Sequence, residues 1–208
     1  MDLSLYKLTP VEQWITDKYL ENCIFTPLDL DIDRIARMFG GEIVYMPTKS
    51  HARWEDDGTR DFLINLDSRL DEPDARGAFF HELCHPLRHI GNQAMLPKAF
   101  KDLQETQASL FQQYASIPFF MVQELELPSY EREIPYYWAH VFNVPVTLAS
   151  RRYHQIKARI FREQSDLEFM SHQRSLYRKA DPANWCDEAK EMFRLAIQRK
   201  KDKGVVFE

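Results

Sequence analysis

The feature that most restricts the fold is a run of five residues, His81-Glu82-Leu83-Cys84-His85, preceded by the apolar Ala78-Phe79-Phe80. On an α-helix, residues four apart stand one above the other on the same face. Two imidazoles held in that way can reach one tetrahedral ion at bond lengths of about 2.0–2.1 Å. The segment is therefore predicted to be a helix that Pro73 opens and that runs through Ala78, Phe79, Phe80 and Leu83 past His85. Glu82 is one step beyond His81, beside the ion and not on it. A carboxylate there can take a proton from metal-activated water and pass it to a leaving amine. The competing reading is a charged, solvated helix turn, and the apolar residues that lead into the motif argue against it. Cys84 points away from the two histidines and reads as a small buried core residue.

A third protein ligand is needed, and the candidates are His89, Glu105 and, behind them, Asp102. On a straight helix His89 lies about 12 Å along the axis from His81, too far to share an ion unless Pro86 kinks the helix. Its commoner role is a supporting or core histidine, hydrogen-bonded through its ring. Glu105 falls on the next predicted helix, which can turn back and aim one carboxylate at the ion. Spacing alone leaves Glu105 open between that role and a surface glutamate.

Elsewhere the patterning is that of an α+β chain, with a small early sheet followed by helices. Thr9-Pro10-Val11-Glu12 is a capping box with Pro at the first helical position, followed by Val11, Trp14, Ile15 and Tyr19 on one face. A second helix is predicted after Asp29 or Asp31, carrying Ile32, Ile35, Ala36 and Phe39 and ended by Gly40-Gly41. Glu42–Met46 and Asp61–Leu66 read as strands, with Thr48–Thr59 between them, polar and holding Gly58, as a loop or a hairpin with a wide turn. A helix from about Pro97 to Ile117 presents Phe100, Leu103, Leu110, Phe111, Tyr114 and Ile117 as its apolar face, and Pro118 stops it. Ile134–Phe142, Val146–Arg159 and Asp187–Lys201 also read as helical. The polar stretch around Pro128 suggests a division into a core, 1–128, and a helical C-terminal region, 129–208.

The apolar fraction of 44% suffices for a packed core, and an aromatic fraction of 13% means that large rings fill it. No apolar run is long enough to span a membrane. The start of the chain lacks the pattern of a secretory signal, and Cys23, Cys84 and Cys186 do not form a disulfide framework, which together suggest the cytoplasm. The net charge of −5 argues against wholesale nucleic-acid binding. Residues 151–208 nevertheless carry 14 Lys+Arg against 9 Asp+Glu, an excess that reads as a solvated helical surface, against the alternative of a face for an acidic partner or nucleic acid.

His81 to His89 (HELCHPLRH), followed by Glu105 to Pro118 (ETQASLFQQYASIP), resembles the ImmA/IrrE family of metallo-endopeptidases. That family carries HExxH with a further His four residues on, then a helix of the form E-x-x-A-x-x-F-A that ends in Leu-Leu-Met-Pro. Glu105, Ala108, Phe111 and Pro118 match it. Trp138 to Arg152 (WAHVFNVPVTLASRR) is similar to the family's following helical segment, and the upstream LDIDRIA helix and strand fit as well. The resemblance covers roughly residues 25–160, with departures at Pro86, Gln112 and Ile117. It implies a small zincin-like core with a small antiparallel or mixed sheet packed on the motif helix, plus C-terminal helices. It implies a Zn2+ ion on His81, His85 and Glu105, with Glu82 as the base. Members cut helix-turn-helix transcriptional repressors in prophages and mobile elements, so the implied partner is a protein repressor and not a membrane.

An oxyanion donor is also required. Tyr114, His89, His140 and Arg76 are candidates, each with a competing reading as core packing or surface charge. A substrate strand is expected to add alongside the edge of Asp61–Leu66. The alternatives are an antirepressor that acts by contact, and a DNA-binding regulator. The latter would use Ile134–Phe142 and Val146–Arg159 as a helix-turn-helix, with Arg151, Arg152, Lys157 and Arg159 on phosphates. Pro145 in the turn argues against it. Oligomeric state is not legible in the sequence.

Overall fold

The computed structural model describes residues 2–54, 61–89, 97–176 and 181–202. It is an α+β protein with a small mixed sheet early in the chain and helices around and after it. The first helix, α1 (Pro10–Glu21), begins at the capping box. Thr9 Oγ1 accepts the Glu12 N–H at 3.2 Å, and Glu12 Oε2 accepts the Thr9 N–H at 2.9 Å. Asp31 caps α2 (Ile32–Met38) by accepting the Arg34 N–H at 2.6 Å. Gly40, at φ 88°, then takes the left-handed conformation that lets the chain leave the helix.

The sheet contains β1 (Gly41–Met46), β2 (His51–Trp54) and β3 (Phe62–Asp67), in the order β1-β3-β2. β1 pairs parallel with β3, Gly41 opposite Phe62 and Met46 opposite Asp67. β2 pairs antiparallel with it, His51 opposite Asn65 and Trp54 opposite Phe62. The loop or wide-turned hairpin expected over Thr48–Thr59 is corrected, because the strands it joins, β1 and β3, run parallel. Part of that span is β2, whose polar-apolar alternation His-Ala-Arg-Trp is only four residues long and too short to stand out until it pairs with β3. Residues 55–60, with the expected turn at Gly58, lie outside the described residues. The substrate edge expected on Asp61–Leu66 is corrected: β3 has a strand on each side, and the outer edges of the sheet belong to β1 and β2 among the described strands.

The motif helix α3 (Glu72–Arg88) starts at Asp71, whose carboxylate accepts the Asp74 N–H, with Pro73 in the first turn. It passes through Pro86 and ends at His89. α4 (Lys98–Ser116) packs along α3 in the opposite direction: Glu105 stands beside His81, and Gln112 reaches the Gly77 carbonyl at 2.8 Å. Pro118 ends this helix as expected, but it also serves as the cap of a further short helix, α5 (Phe119–Gln123). Of the apolar stripe expected on α4, Phe111, Tyr114 and Ile117 are buried, whereas Phe100, Leu103 and Leu110 are exposed. The N-terminal half of α4 therefore projects beyond the core.

α6 (Ile134–Phe142) ends at Asn143, left-handed at φ 50°, whose side-chain amide donates to Glu72 at 2.6 Å. α7 spans Val146–Leu176. Trp138, Phe142, Leu148, Tyr153 and Ile156 join Tyr19, Ile35, Ile64, Leu66, Phe79, Phe80 and Leu83 in one hydrophobic core. The chain divides by compactness into Met1–Glu163 and Gln164–Glu208. The second unit holds the end of α7 and α8 (Asp187–Asp202), on which Met192, Phe193 and Leu195 are exposed. Among the described residues, no helix is long and apolar enough to cross a membrane.

Candidate metal centre and its setting

The apolar face of α3, with Phe79, Phe80, Leu83 and Cys84, is sunk in the core, and this fixes the direction of the other face. His81 and His85 project from it toward α4. His81 Nε2 is 3.1 Å from Glu105 Oε2, and His85 Nε2 is 3.8 Å from Glu105 Oε1. Among the described residues these three form the group able to hold a metal, with one ligand atom from each lying within 4.8 Å of the others. Two ligands of one tetrahedral ion at bond lengths near 2.05 Å stand about 3.3 Å apart. The observed separations bracket that distance, so the residues fit a small tetrahedral cation with three protein donors and an open fourth position. Chemically, two imidazoles and a carboxylate are the donor set of a catalytic site and not of a closed structural one.

Glu82 is held from the sheet. The Ala52 N–H on β2 donates to Glu82 Oε2 at 3.1 Å. Burial raises the Glu82 carboxyl to about 7, the Ala52 N–H opposes that rise, and the nearby Glu105 adds to it. A carboxyl poised near neutrality suits proton exchange. The His85 ring lies parallel to that of Trp54, with centroids 6.5 Å apart and planes inclined by 8°. Burial lowers His85 to about 4, so the ring is neutral and able to offer a lone pair. Cys84 faces away into the core, where burial pushes its thiol up to about 12.

His89 lies at the end of α3 and not within it. Its backbone N–H donates to the His85 carbonyl at 3.0 Å, and its ring meets both His85 and Gln107. It is buried, and burial lowers its pKa below the usual histidine value. Of the other sequence candidates, Tyr114 and Arg76 are engaged elsewhere. The Tyr114 hydroxyl accepts from Arg159 at 2.5 Å and from Gln155 at 3.1 Å. Arg76 donates to the Leu30 carbonyl at 2.8 Å. His140 is exposed on α6, and Asp102 is exposed on the first half of α4. Sequence reading did not identify Ala52, Trp54 or Gln107. Ala52 and Trp54 are the apolar pair of a strand too short for its alternation to stand out, and Gln107 carries no motif.

Three of the four cations considered for phosphate contacts are engaged within the fold. Arg152 is fully buried 2.9 Å from Glu12, Arg159 is 2.6 Å from Glu12, and Lys157 pairs with Glu131. Arg151 is exposed.

Residues 36–154 match the model of the IrrE N-terminal-like domain, peptidase family M78, a span that includes His81, Glu82, His85 and Glu105. The chain belongs to this family. It is 30% identical over 146 residues to the phage-like element PBSX protein XkdA of Bacillus subtilis, covering 70% of this chain and 72% of that one. It is 28% identical over 147 residues to the uncharacterized protein YqaB of the same organism, covering 71% and 84%. No solved structure matches it significantly. Within the matched span, His81, His85 and Glu105 converge between α3 and α4, and Glu82 stands beside them against β2.

Proposed function

We propose that the chain is a zinc-dependent endopeptidase of the cytoplasm that cleaves a helix-turn-helix transcriptional repressor and so relieves repression. The observation that carries this reading is the convergence of His81, His85 and Glu105 from two helices with Glu82 alongside. The ImmA/IrrE family membership and a relative from a phage-like element support the substrate class.

His81, His85 and Glu105 would hold the ion. Bound there, zinc supplies Lewis acidity, which polarises a carbonyl and acidifies water. The remaining steps belong to the chain. Glu82, kept near neutrality by burial, accepts a proton from the attacking water and delivers it to the leaving amine. The Ala52 N–H fixes the carboxylate from one side, so its free oxygen is the one presented to the reaction. β2 is an outer strand of the sheet and the one that touches Glu82, and an extended substrate would add along its edge. Trp54 and the α3 core hold the His85 ring plane during the cycle.

The test uses purified chain, zinc and the helix-turn-helix repressor encoded nearest to it. Native chain should cut the repressor. Glu82→Gln should bind zinc equally well and cut at least about 10²-fold more slowly, the loss typical of a removed general base. An intact repressor after incubation with zinc-loaded native chain, but still bound by it, would favour an antirepressor acting by contact. Undiminished cleavage by Glu82→Gln would remove Glu82 from the chemistry.

A further inference from the structure

Gln107 lies on α4 two residues past Glu105 and is neither a ligand nor the base. Its side-chain oxygen is 3.1 Å from His89 Nε2. His89 Nδ1, in turn, is 3.0 Å from His85 Nδ1. The series ends at the cluster, because the other nitrogen of that ring, His85 Nε2, is the one near Glu105.

The protons along this series can be counted. An amide oxygen can only accept, so His89 Nε2 carries hydrogen. The remaining nitrogen of a neutral imidazole is then a bare acceptor. Two ring nitrogens facing each other at 3.0 Å share one proton, since two would clash and none would set lone pair against lone pair. His85 Nδ1 therefore donates to His89, and His85 Nε2 is left with its lone pair directed at the cluster. His89 is 5% exposed, whereas Gln107 reaches it from the exposed side of α4. Reversing the amide would reverse each bond. His89 Nδ1 would donate, and the His85 proton would move to Nε2, where it competes with the cation.

We propose that Gln107, acting through His89, is a positioning residue that holds His85 as the Nδ1–H tautomer and keeps Nε2 ready for the metal. The proposal rests on the reading of His81, His85 and Glu105 as the metal site. Partners that orient a ligating histidine through its second nitrogen commonly change metal affinity by about 10–100-fold.

The experiment has two arms, neither of which requires proteolysis. In metal-free protein with 15N-labelled histidine, long-range 1H–15N correlation should find the proton of His85 on Nδ1 and that of His89 on Nε2. Gln107→Leu should mix the tautomers at both rings and weaken zinc binding, measured against a chelating dye, by about 10–100-fold. Gln107→Glu restores an acceptor and should recover both the tautomer pattern and near-native affinity. Native His85 protonated on Nε2 would overturn the proposal. So would native affinity in the Leu variant, or a loss of affinity in that variant that Glu fails to rescue. A native chain that binds no zinc would instead refute the metal site itself, while the tautomer arm would still report on the relay.

Discussion

Gly41 shows how much one position depends on a distant partner. It begins β1 directly opposite Phe62 of β3, and a Cβ built on it would lie 2.0 Å from Phe62 Cε2. The Phe62 ring is buried, so it can yield only by displacing its neighbours. Gly41→Ala should therefore cost about 1–3 kcal/mol, the range for overpacking a filled core. Urea denaturation would register this as a lower midpoint with an unchanged slope; a midpoint equal to that of the native chain would show that the ring does not press on the strand. In sequence, Gly40 and Gly41 read together as the stop signal of α2. Only Gly40 has the left-handed backbone that signal needs, and the reason for Gly41 lies twenty-one residues further on. The same separation divides the site. His81, Glu82 and His85 are legible because helical spacing alone aligns them, whereas Ala52 and Gln107 are set by tertiary contacts that leave no local pattern.

Of the elements, α4 has two halves with different work. Its first turns carry Phe100 and Leu103, which are 59% and 53% exposed, while Phe111 further along is 2% exposed. An apolar stripe at helical spacing thus continues beyond the surface it packs on, and periodicity could not locate the crossing point. Phe100→Gln and Leu103→Gln should each change stability by no more than about 0.5 kcal/mol, as surface positions do. Phe111→Ala should cost about 3–5 kcal/mol. Thermal unfolding of the three variants separates these outcomes, and a comparable loss at Phe100 would mean that this half is packed in solution. Capped helices were the most legible elements. Thr9 and Glu12 set the start of α1 and Asp31 that of α2 by local hydrogen bonds. β2 and α5 were not legible. The first exists through its pairing with β3, and the second begins at Pro118, a residue that marks the end of one helix as readily as the cap of another.

At the scale of the molecule, the unit Met1–Glu163 is closed by a polar cluster between its two ends. Glu12 of α1 is 3% exposed and meets Arg152 at 2.9 Å and Arg159 at 2.6 Å, both on α7. Tyr6 donates to the same carboxylate, and Tyr114 of α4 accepts from Arg159. Burial works against ionisation of Glu12, but Arg152, Tyr6, the Thr9 amide and Arg159 outweigh it and hold the carboxyl below its ordinary value of 4.5. The sign follows from that direction. A carboxyl depressed by folding contributes its full stability above about 4.5, and that contribution is lost as pH falls below it through the folded-state value. Glu12→Gln separates charge from cap, because Gln also completes a capping box. Near neutrality this variant should lose about 3–5 kcal/mol, the cost of leaving the buried Arg152 without its countercharge. Between pH 5 and pH 3, however, its stability should fall less steeply than that of the native chain, since the Glu12 part of the acid loss is gone. Exposed carboxylates titrate alike in both proteins and cancel in the comparison. Urea midpoints at half-unit pH intervals measure the difference. Parallel curves for the two proteins would mean that Glu12 binds its proton equally in the folded and unfolded chain, and the cluster could not then be what holds α1 to α7.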